Sequence, residues 1–129
     1  MTEPSGANPW AKVVGPCYIA ESLQRELGMT PSELAAAVRE LRVLRLSTSD
    51  GVDLYPAFQT RAGHVVPGLE AVLQELANGP QAPWMWAQWL NAPIMRPGGV
   101  SRRRIEELAA GNAAAIVREA RNTAAAWSS

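Results

Sequence analysis

The sequence predicts a mainly α-helical protein: a helix-turn-helix unit with a small β-hairpin wing, followed by a compact bundle of about four helices. Three observations predict it. Gly28-Met29-Thr30-Pro31-Ser32-Glu33 separates two short amphipathic runs, as expected of two helices joined by a tight turn. Asp50-Gly51 lies between two runs containing apolar residues, which is a hairpin signal. Beyond residue 63 the apolar positions recur at spacings of three and four, broken by Gly and Pro. The organisation expected is a flexible segment over 1–15, a helix-turn-helix and wing over 16–62, and a helical partner-binding or dimerisation region over 63–129.

Each element has its own signal. Pro4, Gly6, Pro9 and Gly15 mark the lead-in, with Trp10 as its possible anchor. From Cys17 to about Leu27, Ile19, Leu23 and Leu27 fall on one helical face, and Gly28 supplies a left-handed end. Thr30 as N-cap, Pro31 at the first helical position and Glu33 closing a capping box start the second helix. Leu34, Val38 and Leu41 are its predicted buried face. Val43, Leu44 and Leu46 lead into the hairpin, and Pro56 stops its second strand. Pro67 opens a helix with Leu69, Val72, Leu73 and Leu76 inward and Gly79-Pro80 at its end. Pro83 to Leu90 forms the next, with Trp86 and Trp89 as core choices. Residues 94–100 read as a Pro-Gly-Gly loop. Ser101 then caps a helix running to Ala110, with Ile105 and Leu108 inward. An Ala-rich helix over about 112–126 buries Ile116, Val117 and Ala120.

The composition bounds the function. With 129 residues, 47% hydrophobic and 19% charged, the chain is globular material for one ordinary domain or two very small ones. Twelve basic and twelve acidic residues cancel, so any nucleic-acid role must rest on local patches. All the basic residues but Lys12 are Arg, whose planar fork suits phosphate and carboxylate; genome base composition produces the same bias. The lone Cys17 lies in an apolar stretch and reads as a small core residue. No signal peptide and no membrane span are expected, so the location expected is cytoplasmic. His64 has no partner base, nucleophile or second metal ligand in the pattern, and no phosphate loop, dinucleotide fingerprint or serine elbow occurs. The expectation is a binding protein, not an enzyme, with no cofactor and no metal.

Tyr55-Pro56-Ala57-Phe58-Gln59, Gly63, Val66-Pro67-Gly68-Leu69, Val72-Leu73 and Leu76 are followed by Pro83-Trp84, Ala87, Trp89-Leu90, Pro93, Leu108 and Gly111. This arrangement, over roughly residues 17–122, resembles the Xre/MbcA/ParS-type antitoxins with their C-terminal toxin-binding domain. The resemblance implies an antitoxin-like regulator. Its C-terminal half would cover the active site of a RES-type toxin that consumes NAD, and its helix-turn-helix would bind operator DNA. The chain departs from that pattern at Pro97-Gly98-Gly99, at Arg102 and in the tail from Asn122.

Candidate contacts follow. For DNA they are Ser32, Arg39, Arg42, Arg45 and Arg61: Ser32 faces outward on the recognition helix, Arg39 reaches a guanine or a phosphate, Arg42 and Arg45 hold backbone, and Arg61, near the wing, helps if it lies on the same face. Glu33 and Glu40 oppose this by repelling phosphate. For a partner protein they are Trp84, Arg102, Arg103, Arg104, Arg118 and Arg121. Three arginines in the first turn of a helix would act against its dipole, which suggests selection for an acidic surface; a solvated cluster offset by Glu106 and Glu107 is the other reading. A homodimer is expected, since two-fold proteins match paired half-sites. Two rivals stand: a stand-alone DNA-binding regulator of phage or mobile-element type, and a structural adaptor that binds no DNA.

Overall fold

The computed structural model describes residues 14–128. The predicted flexible lead-in, including Trp10, lies up to residue 13 outside the described residues. Among the described residues, six α-helices and several short antiparallel strands make a mixed fold with substantial helical content, richer in β-structure than the sequence predicts.

Strand β1 (Cys17–Tyr18) precedes helices α1 (Ala20–Leu27) and α2 (Pro31–Arg39). Here the predicted helix from Cys17 is corrected. Tyr18 sits opposite Tyr55 in a ladder, and Ile19 is the half-exposed residue that enters α1. The four-residue spacing Ile19–Leu23–Leu27 is real, but sheet pairing claims the first two residues of the run. Gly28 ends α1 in the left-handed conformation, its N–H bonded to the Gln24 carbonyl. Two residues later the capping box of α2 is complete. The Glu33 N–H donates to Thr30 Oγ1 at 3.1 Å, and the Thr30 N–H donates to Glu33 Oε1 at 2.8 Å. The buried side of α2 is Leu34 and Ala37, with Val38 partly covered. Leu41 is outside the helix, at φ 61°, because the Arg42 and Val43 amides both turn back to the Ala37 carbonyl.

Strands β2 (Leu46–Ser47) and β3 (Asp53–Pro56) form the predicted hairpin, pairing Leu46 with Leu54 and Ser47 with Asp53. β1 pairs with the other edge of β3, so the order is β1-β3-β2. A 3-10 turn (Ala57–Gln59) leads to a second small hairpin, β4 (Thr60–Arg61) and β5 (His64–Val65). Ala62 and Gly63, both at positive φ, make its two-residue turn.

Four helices complete the chain, as the periodicity predicts: α3 (Leu69–Leu76), α4 (Pro83–Asn91), α5 (Arg104–Ala109) and α6 (Ala113–Trp127). Residues 94–100, expected as a loop, belong instead to a hairpin of β6 (Pro93–Arg96) and β7 (Val100–Arg103). Pro97-Gly98-Gly99 is its turn. Ser101 is therefore a strand residue and not a helix cap. α5 starts at Arg104, with the Glu106 carboxylate accepting the Arg103 N–H at 2.9 Å.

Two apolar clusters hold the fold. A smaller one joins α1, α2 and β3 through Leu23, Leu34, Ala37, Val43 and Tyr55. The larger draws Leu69, Leu73, Leu76, Trp86, Leu90, Ile105 and Ile116 from the four C-terminal helices. Leu44 and Leu46, from the hairpin side of the front half, are buried in that same larger cluster. Gln59, fully buried, ties the two regions together. Its Nε2 donates to the Leu44 carbonyl at 2.9 Å and its Oε1 accepts the Leu44 N–H at 2.8 Å.

Candidate functional site

The first candidate surface is built by α2. With Leu34 and Ala37 buried, the stripe Ser32, Ala35, Ala36 and Arg39 lies on the opposite side; Ser32, Ala35 and Arg39 are exposed. Small side chains in the middle of that stripe let the helix backbone approach a surface closely. Arg39 ends the helix, exposed, and makes no ion pair among the described residues. Arg42 is half-exposed and its Nε donates to Glu40 at 2.8 Å. Arg45, exposed, precedes β2 and its charge reaches Tyr55, whose pKa is nonetheless raised, by burial first and then by Asp53. Arg61 is exposed on β4, and its charge acts on Glu106 at the start of α5. The carboxylate of Glu33 is turned back into its capping box, and that of Glu40 faces Arg42.

The second candidate surface is the arginine run. The predicted placement of Arg102, Arg103 and Arg104 together in a helix's first turn is corrected: Arg102 and Arg103 end β7, and Arg104 begins α5. Their environments differ. Arg102 is exposed. Arg103 donates to Asn91 Oδ1 and, at 3.2 Å, to Glu106. Arg104 donates to Glu119 at 2.9 Å and to the Trp89 carbonyl at 3.2 Å, with its guanidinium 4.2 Å from the Trp89 ring centre. Arg121 pairs with Glu75 at 3.1 Å, and Arg118 is exposed without an ion pair among the described residues.

The strongest electrostatic feature was not singled out by the sequence. Arg96, on β6, grips Glu107 with two nitrogens and Glu119 at 2.8 Å, so that Glu107, Arg96, Glu119 and Arg104 form a chain that alternates in sign. Burial alone would raise the Glu119 pKa, but hydrogen bonds from Arg96 and Arg104 outweigh it and hold the carboxyl below its usual range. The hydrogen bonds to Glu107 and then Glu119 raise the Arg96 pKa further. This network fastens the β6–β7 hairpin onto α5 and α6. Met95, 70% exposed, and Val100 project from that hairpin to solvent. A lone Arg followed by Pro-Gly-Gly carries no local sign of partners eleven and twenty-three residues away.

Trp84 is half-buried against the main core, and its Nε1–H donates to the Ser47 carbonyl at 3.1 Å. Trp86 and Trp89 are core residues, as predicted. Cys17 is half-buried with its thiol pKa raised by burial, and His64 is exposed. Among the described residues no group of three or more His, Cys, Asp or Glu is placed to hold a metal ion, and no helix is long and apolar enough to cross a membrane. Two open clefts, of about 240 and 280 Å³, lie beside Arg42 and Glu70 and beside Glu75 and Arg121.

No protein-family model and no curated protein matches the chain. Among solved structures, the NMR structure of Rv2175c is similar along nearly the whole chain. It is 26% identical, with a TM-score of 0.68, over 96% of this chain and 85% of that one. The arrangement of helices and small sheets described above is thus one that this chain shares with a protein solved by experiment.

Proposed function

We propose that this protein is a DNA-binding regulator. In this reading α1, the turn at Gly28–Thr30 and α2 form a helix-turn-helix, and the β2–β3 hairpin is its wing. The observation that carries it is the exposed stripe of α2, with small residues at its centre and Arg39 at its end. A helix with such a face fits the major groove, where Ala meets thymine methyls and Arg takes a guanine edge in two hydrogen bonds. Arg45, exposed, and Arg42, which would have to leave its exposed pair with Glu40, follow directly and would hold phosphate. Ser32 is the polar contact at the helix start. Two copies on a two-fold site would read half-sites about 34 Å apart.

Selection of bound sequences from random duplexes, followed by anisotropy titration at several salt concentrations, tests this. Arg39→Ala should weaken the selected site by about 1–3 kcal/mol while leaving random DNA little changed. Arg42→Ala with Arg45→Ala should weaken both. With three arginines per copy on phosphate or base, the log–log salt slope should be no steeper than about −3 for one copy and about −5 for two copies on a two-fold site. Failure to enrich any sequence, with no salt-dependent binding, sinks the reading.

A second reading, neutralisation of a RES-type toxin, has one observation in its favour. The β6–β7 hairpin is rigidly fastened yet presents Met95, Val100 and Arg102 to solvent. Arg102 and Arg118 are the contacts this reading keeps. Arg103, Arg104 and Arg121 are already paired within the chain. Co-purification with a RES-type protein, lost in Arg102→Glu, is its test.

A further inference from the structure

The β2–β3 and β6–β7 hairpins are fixed differently. β6–β7 has four residue pairs and the Arg96 network. β2–β3 has two residue pairs, and β1 pairs with β3 only at Tyr55 and Pro56, so the arm from Leu54 and Leu46 outward has no third strand to hold it. Its tip, Thr48-Ser49-Asp50-Gly51-Val52-Asp53, carries no cation. Asp50 and Asp53 accept hydrogen bonds from the hydroxyls of Thr48 and Ser47, and Val52 is 45% exposed. A tip with two carboxylates is repelled by phosphate, so electrostatics cannot draw it into position on DNA. Its position beside α2 has to be set from within the protein.

We infer that Trp84 is the positioning residue that sets the wing. Trp84 is the second residue of α4, and its ring packs on the main core. Its indole N–H meets the carbonyl of Ser47, the residue paired with Asp53 where the tip of the hairpin begins. Leu46, beside it, is fully buried in the same core. Leu46 fixes how deep the hairpin base sits; Trp84 fixes how the arm leans. The separation between the α2 stripe and the exposed Val52 is then a property of the C-terminal half. The functional side of this inference rests on the DNA-binding reading: Trp84 supports affinity for a selected site, where both elements must fit at once, and not attraction to DNA in general.

Trp84→Phe keeps an aromatic ring on the core and removes the donor. The Thr48 N–H, bonded to the Val52 carbonyl, and the Val52 N–H, bonded to Thr48 Oγ1, report the wing by hydrogen exchange. The amides of Leu73 and Ile116 report the body. The expected result is faster exchange at Thr48 and Val52, unchanged exchange at Leu73 and Ile116, and a roughly two- to tenfold loss of affinity for the selected site, with random DNA unaffected. Equal loosening of wing and body would make Trp84 merely structural and overturn the inference. Unchanged wing exchange with DNA binding intact would also overturn it, leaving the DNA reading in place. Absence of DNA binding in the unaltered protein would remove the functional claim, and exchange alone would then decide whether Trp84 holds the hairpin.

Discussion

The side chain of Gln59 behaves like one more backbone unit, giving and taking a hydrogen bond with Leu44 as a neighbouring strand would. Buried amides of this kind are expensive to lose, because both groups of Leu44 would remain in the core without partners. Gln59→Leu should therefore destabilise the protein by about 2–4 kcal/mol in urea unfolding, although it adds apolar volume. Nothing near Gln59 in the sequence announces this, since its partner is fifteen residues earlier. The arginine run carries the same lesson. As letters, Arg102, Arg103 and Arg104 are equivalent. In space, one is exposed, one is tied to Asn91 and Glu106, and one lies over Trp89 against Glu119. Side-chain identity was legible, while partnership across eleven or more residues was not.

At the scale of elements, what could be read locally was read. The capping box at Thr30, the left-handed end at Gly28 and the Asp50-Gly51 hairpin depend on residues within a few positions of each other. What escaped was decided by pairing at a distance: β1 drawn out of a helical pattern by β3, and β6–β7 formed from what resembles a glycine loop. One close approach deserves a test of its own. α3 and α6 run together past Gly79, where an added Cβ would stand 2.8 Å from the Ala124 carbonyl oxygen, a backbone atom that cannot swing aside. Gly79→Ala should force the end of α3 away from α6 and cost about 1–3 kcal/mol. An unchanged urea midpoint would mean that the contact gives way freely.

Across the whole molecule, charge is balanced in sum but not in arrangement. Between Cys17 and Pro56 lie four arginines and six acidic residues, so in the DNA-binding reading recognition rests on the α2 stripe and not on a general attraction. In the C-terminal half, the carboxyls of Glu106 and Glu119 are held below their usual range. For Glu106 the cause is first the Arg103 N–H and then its guanidinium. Groups with depressed folded-state pKa values stabilise the protein fully above the unfolded value of about 4.3, and that stabilisation is lost as pH falls through the folded values. Stability should thus be flat from pH 7 to about 5 and fall below about 4. Glu119→Gln should lower the plateau and shallow the acid fall. Urea midpoints at three pH values for both proteins would show it.

Leu44 and Leu46 have a longer consequence. They leave the front half of the chain and finish the interior of the back half. A recombination event joining residues 14–62 to some other body would take two leucines from one interior and strand them outside another. The unit that carries α2 is therefore not a cassette that lineages can trade freely. If α2 is the recognition helix we propose, changes in what it binds have to come by substitution along its exposed stripe, with the body unchanged behind it.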